Sequence, residues 1–272
     1  MRRLALLLAA VLTLSGCGGG GGSAQDALSD TASNLGKIRS GDLTLELLFM
    51  AKGGEEQGFR LQGPVALGQG SLPVADLEYT QIAGSQEATT RFISTGNKAF
   101  VEVEGTAYEL PPGLVADLQS ATVELRSEGG LEQIEIGRWF EDPELSEGGD
   151  LGGDETDLVR ARLNVVEVVN GLLGIAAEFG GTKRAPRVEG RGAEQLENAV
   201  RSARLELWTG KDDRLLRRLR LAIDLGVKAP AQVKSLVGAG VRFELSVLHP
   251  NEEVQVSEPE GARPSSELFG GE

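Results

Sequence analysis

The sequence predicts one α+β domain built on a strongly curved antiparallel sheet, a half-barrel of about nine to eleven strands with helices on its concave face. Apolar residues alternate with polar ones along much of the chain, as at Leu43, Leu45 and Leu47. Short gaps such as Gly84-Ser85 separate these runs and are typical of hairpins. Ten strands span about 48 Å and one helix covers about 10 Å. The few predicted helices cannot cover a flat sheet of that width, so the sheet must curl.

Residues 1–16 have the pattern of a signal peptide. A basic start is followed by apolar residues 4–14, too few for the roughly 20 that span a bilayer. The sequence then reads Leu14-Ser15-Gly16-Cys17, which resembles the lipobox of bacterial lipoproteins. In that family the chain is cut before the cysteine, and its sulfur receives a diacylglyceryl group. We therefore expect acylated Cys17 to anchor the protein at the extracytoplasmic face of the cell membrane; the alternative is a buried thiol in an ordinary leader.

The remaining chain divides into a tether, a domain and a tail. Residues 17–23 contain the lipidated cysteine and a glycine-rich coil, whose six residues after Cys17 reach about 13 Å. Residues 24–258 form a single domain. It begins with an amphipathic helix of about fifteen residues, because apolar positions recur at helical spacing from Ala27 to Ile38. Residues 259–272 are rich in Pro, Glu and Ser, so we expect an extended or disordered tail.

Strands and short helices alternate through the domain. Period-two alternation predicts strands at 43–49, 59–62, 74–83, 88–95, 99–104, 106–110, 205–208, 214–226 and 241–247. Helical spacing predicts a short helix at 114–119, a longer one at 163–179 and a surface helix at 193–202. The hairpin-length gaps make the sheet an antiparallel meander.

The segment 141–157 is acidic and rich in glycine. Clustered carboxylates are the ligands that calcium prefers, so a calcium loop is one interpretation. The D-x-[DN]-x-[DN]-G spacing of an EF-hand loop is absent, and a solvated acidic loop is the favoured interpretation. We therefore predict no metal site.

The helix at 163–179 is apolar over most of its circumference, with one narrow stripe formed by Glu167, Gly171, Gly174 and Glu178. A helix of this kind is buried on more than one side. It is either an ordinary core helix or the wall of a ligand cavity, and the sequence leaves both possibilities open.

Composition and motifs disfavour several functions. The formal net charge of −14 argues against nucleic-acid binding, which needs clustered positive charge. A single histidine, His249, excludes a multi-histidine metal site, and it stands beside Pro250 with no G-x-S-x-G motif elsewhere. No phosphate-binding G-x-x-x-x-G-K-[ST] loop is present either. We predict no catalytic residues, no metal and no cofactor, and therefore a protein that is not an enzyme.

Three segments resemble actinobacterial LppX/LprG-type lipoproteins, which belong with the LolA/LolB-like half-barrels: Asp42–Leu47 after an amphipathic helix, the hairpin Arg91–Val101, and Leu207–Leu215 leading into a basic-apolar strand. The resemblance implies that residues 24–258 bind lipids or glycolipids in a cavity between sheet and helices, and that the protein carries or presents them in the cell envelope. The alternative is an envelope sensor or protein-interaction module with the same fold and an unknown protein partner. The candidate cavity residues are Leu45, Leu47, Phe49, Leu77, Tyr79, Phe92, Val165, Val169, Leu172, Leu173, Ala176, Leu221, Ile223, Phe243 and Leu245.

Overall fold

The computed structural model describes residues 23–50, 55–67, 72–127, 139–179, 187–226 and 240–269. The helices are α1 (Ala24–Asn34, extended by a 3₁₀ turn at Leu35–Lys37), α2 (Pro112–Ser127), α3 (Val165–Phe179), α4 (Arg191–Ala199) and α5 (Ser266–Phe269). The strands are β1 (Ser40–Met50), β2 (Glu56–Ala66), β3 (Val74–Ala83), β4 (Gln86–Thr95), β5 (Ala99–Val103), β6 (Thr106–Glu109), β7 (Phe140–Leu151), β8 (Asp154–Leu163), β9 (Val200–Gly210), β10 (Leu216–Leu225), β11 (Gly240–Leu248) and β12 (Arg263–Pro264).

All twelve strands form one curved, unclosed sheet in the order β12-β6-β5-β4-β3-β2-β1-β11-β10-β9-β8-β7. Two meanders, β1–β6 and β7–β11, meet where β1 pairs with β11 in antiparallel register from Asp42↔Leu248 to Met50↔Gly240. Among the strands that the structure describes, only the two-residue β12 runs parallel to its neighbour, β6. The predicted α+β half-barrel is confirmed.

The first helix begins at a capping box. Ser23 Oγ accepts a hydrogen bond from the backbone N–H of Asp26 at 3.1 Å, and the Asp26 carboxylate accepts one from the backbone N–H of Ser23 at 2.9 Å. The Ser23 hydroxyl also donates to this carboxylate, and these bonds lower the pKa of Asp26. At the other end, the Asn34 side-chain amide donates to the carbonyl of Asp213 at 3.2 Å and fixes the helix to the β9–β10 turn.

Two apolar clusters lie on one face of the sheet, which we call the helix-bearing face. The larger cluster joins α1, α3 and α4 to strands β8–β10 and includes Leu28, Val168, Leu196, Leu205 and Leu219, each no more than 2% exposed. The smaller cluster contains Leu72, Ala99 and Leu110, with Val115 and Leu118 of α2 packed against it. Strands β1 to β3 lie between the two clusters.

The acidic segment 141–157 forms most of the β7–β8 hairpin, so the prediction of a loop was wrong. Cross-strand pairs explain the strand: Glu141 lies opposite Arg162 and Glu144 opposite Arg160, which places acids against bases. Gly148 allows a close approach, since a Cβ there would lie 2.9 Å from Cδ1 of Trp208. Carboxylates and glycines that suggest a loop in the sequence therefore serve strand pairing and packing.

Other elements differ from expectation mainly at their ends. Helix α2 runs to Ser127, beyond the predicted end at residue 119. The tail does not remain wholly extended: Arg263 and Pro264 pair with β6, residues 266–269 form one helical turn, and Lys98 forms a 2.9 Å ion pair with Glu258. This short pairing covers the β6 edge.

Candidate functional site: an apolar strip between two cores

Antiparallel register aligns apolar side chains into continuous rows across the helix-bearing face. One row runs through Leu219, Leu245, Leu45, Leu61 and Tyr79 on β10, β11, β1, β2 and β3. Residues directly opposite one another on antiparallel strands share a face and have Cβ atoms about 5 Å apart. The row therefore forms a continuous apolar surface across five strands.

A second row runs beside the first through Leu221, Phe243, Leu47 and Phe59. The rings of Phe59 and Tyr79 stack with their centroids 6.0 Å apart. We define the apolar strip as the part of both rows on β11, β1, β2 and β3, with Phe49 and Leu77 on the same face.

Burial changes sharply from the core to the strip. Leu219 and Leu221 are each 2% exposed beneath the helices. All the strip residues are only partly buried or exposed, and Tyr79 is 42% exposed. The strip thus retains accessible apolar surface between two covered clusters.

The sequence-predicted cavity residues separate into groups. Val165, Val169, Leu221 and Ile223 are buried in the larger cluster, and Leu173, Phe243 and Leu245 pack against it. Phe92 packs against the smaller cluster. The strip itself contains the predicted residues Leu45, Leu47, Phe49, Leu77, Tyr79, Phe243 and Leu245. The side chains of Leu172 and Ala176 and all of Cys17 lie outside the described residues.

Phe59 and Leu61 complete the strip, although sequence reasoning did not include them among the cavity candidates. Their alternation with Arg60 and Gln62 marked a strand. Only the register, with Phe59 opposite Leu47 and Leu61 opposite Leu45, shows that they continue the same apolar rows.

A small hollow lies under α1, away from the strip. It has a volume of about 10 Å³, room for about one water molecule, and is lined by residues including Leu28, Leu35 and Leu207. The hydroxyls of Thr31 and Thr209, both buried, lie 2.7 Å apart at this contact between helix and sheet. This hollow is too small for an acyl chain.

The opposite face of the sheet carries ion pairs. Arg60 contacts Glu46 at 2.7 Å, and Arg220 contacts Glu244 at 2.6 Å. Arg91 donates two 2.6 Å hydrogen bonds to Asp76, which raise the pKa of its guanidinium above the ordinary value. These pairs are partly exposed, whereas Ile93 and Phe100 on the same face of β4 and β5 are buried, at 3% and 1% exposure.

The single histidine lies at a strand end. His249 follows β11 with φ of 50°, and its Nδ1 lies 2.8 Å from an Asp42 carboxylate oxygen. This hydrogen bond raises the pKa of His249 above 6.5. The contact joins the ends of β1 and β11.

Within the described residues, no group of three or more His, Cys, Asp or Glu side chains is arranged to hold a metal ion. None of the helices in that part of the chain has the length and apolarity needed to cross a membrane.

A single open sheet with helices on one face has the architecture that the sequence resemblance implied. Among solved structures, the chain is similar to LprF from Mycobacterium bovis, with 14% identity, a TM-score of 0.44, and coverage of 88% of this chain and 100% of that one. It is also similar to MucB in complex with MucA(peri), with 15% identity, a TM-score of 0.29, and coverage of 87% of this chain and 62% of that one.

A further similarity is to the LolA superfamily protein NE2245 from Nitrosomonas europaea, with 10% identity, a TM-score of 0.23, and coverage of 88% of this chain and 96% of that one. No family model and no curated protein matches the chain. At these identities and TM-scores the matches do not indicate what this protein binds or does.

Proposed function

We propose that the protein is a lipoprotein, acylated on Cys17 and anchored at the outer face of the cell membrane, that binds the acyl chains of a lipid or glycolipid along the apolar strip. It carries or presents this lipid in the cell envelope. The observation that supports the proposal is the accessible apolar surface of β11, β1, β2 and β3 between two helix-covered clusters.

The dimensions of the strip suit an acyl chain. The four strands of the strip are separated by three spacings of about 4.8 Å, which gives a width of about 14 Å, and the strip residues on β1, Leu45 to Phe49, extend about 13 Å along the strand. Helices on both sides rise about 10 Å above the sheet. Such a groove accepts extended hydrocarbon along the strands.

The energetics favour an apolar occupant. Covering apolar surface contributes about 25 cal/mol per Å² removed from water. Leu45, Leu47 and Phe59 are only partly covered by described parts of the chain, so a bound acyl chain gains this contribution without displacing the packed core. Large apolar patches left accessible on a folded protein commonly mark binding sites.

The first test is to purify the mature chain with Cys17 replaced by serine and to extract it with organic solvent for mass spectrometry. We expect co-purified lipid at a defined stoichiometry. A protein that carries no lipid, and that takes up none from added vesicles, contradicts the proposal and leaves the protein-interaction module as the better account.

A matched pair of variants locates the bound lipid. Leu61→Trp fills the strip, so bound lipid should fall several-fold while the melting temperature changes by a few degrees at most. Val169→Trp inserts the same side chain into the larger cluster, where Val169 is 8% exposed, and overpacking should cost about 1–3 kcal/mol of stability. Unchanged lipid content in a folded Leu61→Trp protein would contradict binding along the strip.

A further inference from the structure

The sheet ends in two long-range edges, formed by β6 and β7, and the chain treats them differently. An edge strand presents a row of backbone N–H and C=O groups that can pair with another chain. Within the described residues β7 has no strand on its outer side, whereas Arg263 and Pro264 of β12 pair with β6. The sequences of the two strands explain this difference.

The β7 edge resists strand addition through its own residues. Pro143 lies within the strand, and proline cannot donate a backbone hydrogen bond. The pairing of β7 with β8 contains two register shifts, and irregularities of this kind bend a strand. The strand also carries a run of acids: Glu141, Asp142, Glu144, Glu147 and Asp150. Pairing of two β7 strands would bring these like charges together, which is destabilising.

The β6 strand has none of these features. It contains no proline and one acid, and its register with β5 is unbroken. The backbone N–H of Leu110 donates to the carbonyl of Ala99 at 2.8 Å, so antiparallel alternation directs the backbone groups of Ala107 and Glu109 away from β5. The N–H of Ser265 donates to the Glu109 carbonyl at 3.2 Å, which agrees with this direction. The tail therefore occupies an edge that is otherwise suited to strand addition.

The tail is held firmly where it leaves the sheet and weakly where it covers β6. Asn251 and Glu252 form hydrogen bonds of 2.6–2.9 Å with the start of β1. Farther along, Glu258 contacts Lys98 at 2.9 Å, but the two side chains are 51% and 46% exposed, and ion pairs so exposed contribute little stability. Strand β12 adds two paired residues. The end of the tail can therefore leave β6 while its start stays in place.

We infer that residues 258–269, which we call the tail cover, prevent the β6 edge from pairing with the same edge of a second copy of this chain. Identical edges complement each other about a two-fold axis. With the axis at Tyr108, Ala107 lies opposite Glu109 of the second copy, and each such pair exchanges two backbone hydrogen bonds. This register places no acid of β6 opposite another acid, and it sets the two Tyr108 side chains next to each other.

Truncation tests the tail cover. Mature chains that end at Ser257 or at Glu272, both with Cys17 replaced by serine, are compared by gel filtration with light scattering at micromolar concentrations. We expect the mass of one copy for the longer chain and of two copies for the shorter chain. Ala107→Pro removes an outward N–H from β6 and should return the shorter chain to one copy. A dimeric longer chain, a monomeric shorter chain, or a dimer that persists in Ala107→Pro overturns the inference.

A charge exchange tests the tail cover in a chain that keeps its tail, so this comparison does not depend on the folding of the shorter chain. Lys98→Glu replaces attraction to Glu258 by repulsion. Both copies must uncover β6 before they pair, so a larger uncovered population acts twice on the apparent affinity. We expect Lys98→Glu to lower the dimer dissociation constant, measured by sedimentation, by tenfold or more, and added Glu258→Lys to restore the parent value.

The matched control reverses the charge of another exposed lysine. Lys211→Glu disrupts the 3.3 Å ion pair with Glu155, which lies away from β6 on the β7–β8 hairpin, and should leave the dissociation constant unchanged. An unchanged constant in Lys98→Glu, or an equal decrease in both variants, overturns the inference.

Discussion

Replacing Arg217 by methionine should lower the free energy of unfolding by about 2–4 kcal/mol. The Arg217 side chain is 4% exposed and donates to Asp154 and Asp213, each at 2.8 Å, and to the carbonyl of Leu215 at 3.2 Å. A hydrogen bond to a charged group contributes about 1.5–3 kcal/mol. We take the lower part of this range for each carboxylate, because Asp154 and Asp213 are 43% and 41% exposed and solvent screens them.

Urea denaturation monitored by tryptophan fluorescence measures this loss. Arg217→Lys serves as the matched control, because an ammonium group lacks the planar fork that reaches two carboxylates. The lysine variant should recover about half of the unfolding free energy lost in the methionine variant. Burial opposes ionisation of Asp213, but its bonds to Arg217 and Leu215 outweigh burial and lower the pKa of Asp213. The contribution of the Arg217–Asp213 ion pair to stability is therefore complete above about pH 4 and is lost as the pH falls through the lowered pKa of Asp213. A methionine variant within 0.5 kcal/mol of the parent would refute the reasoning.

Three further predictions concern other parts of the chain. The pKa of His249, measured by NMR titration, should lie above 6.5 and should fall in Asp42→Asn. The contribution of the His249–Asp42 contact to stability is complete below about pH 6.5 and is lost as the pH rises through the raised pKa. A His249 pKa that does not change in Asp42→Asn would contradict this contact. Cys17→Ser should abolish incorporation of labelled fatty acid, and unchanged labelling would disprove the lipobox. Millimolar calcium should shift the melting temperature little, whereas a concentration-dependent rise lost when acids of 141–157 are replaced would reveal a calcium site.

The sequence predicted elements well where period-two alternation was strong. Strand β3 has both predicted ends, Val74 and Ala83, because apolar and polar residues alternate from Ala75 to Thr80 and a polar turn at Gly84-Ser85 follows the strand. Sequence reasoning failed at β7, where acidic residues and glycine dominate. On this strand Asp142 forms an ion pair with Arg162, Ser146 accepts a hydrogen bond from Arg160, and Gly148 lies against Trp208. These partners are set by tertiary structure, which local composition does not encode.

The candidate site was predictable only in part. Alternation placed Leu45 and Leu47 on the apolar face of one predicted strand and Phe243 on the apolar face of another, and this was enough to select all three as candidate ligand contacts. Alternation does not show how far helices extend over a sheet, so it could not separate buried Leu221 from Phe243, its direct cross-strand neighbour, which is only partly buried. The pairing of β1 with β11, which joins the two rows across the centre of the sheet, involves segments too distant in sequence for local patterns to reveal.

That central pairing joins two segments that are synthesised far apart in time. His249 and Asp42, which close the β1–β11 contact, lie 207 positions apart. At a synthesis rate of about 5–20 residues per second, β11 is made about 10 to 40 seconds after β1. During that interval, one edge of a leucine-rich strand lacks its hydrogen-bonding partner, and pairing over so long a separation is intrinsically slow. During this interval the unpaired edge of β1 can aggregate with other chains. Export of the chain in an unfolded state, with folding only after β11 has been made, would protect β1 from this aggregation.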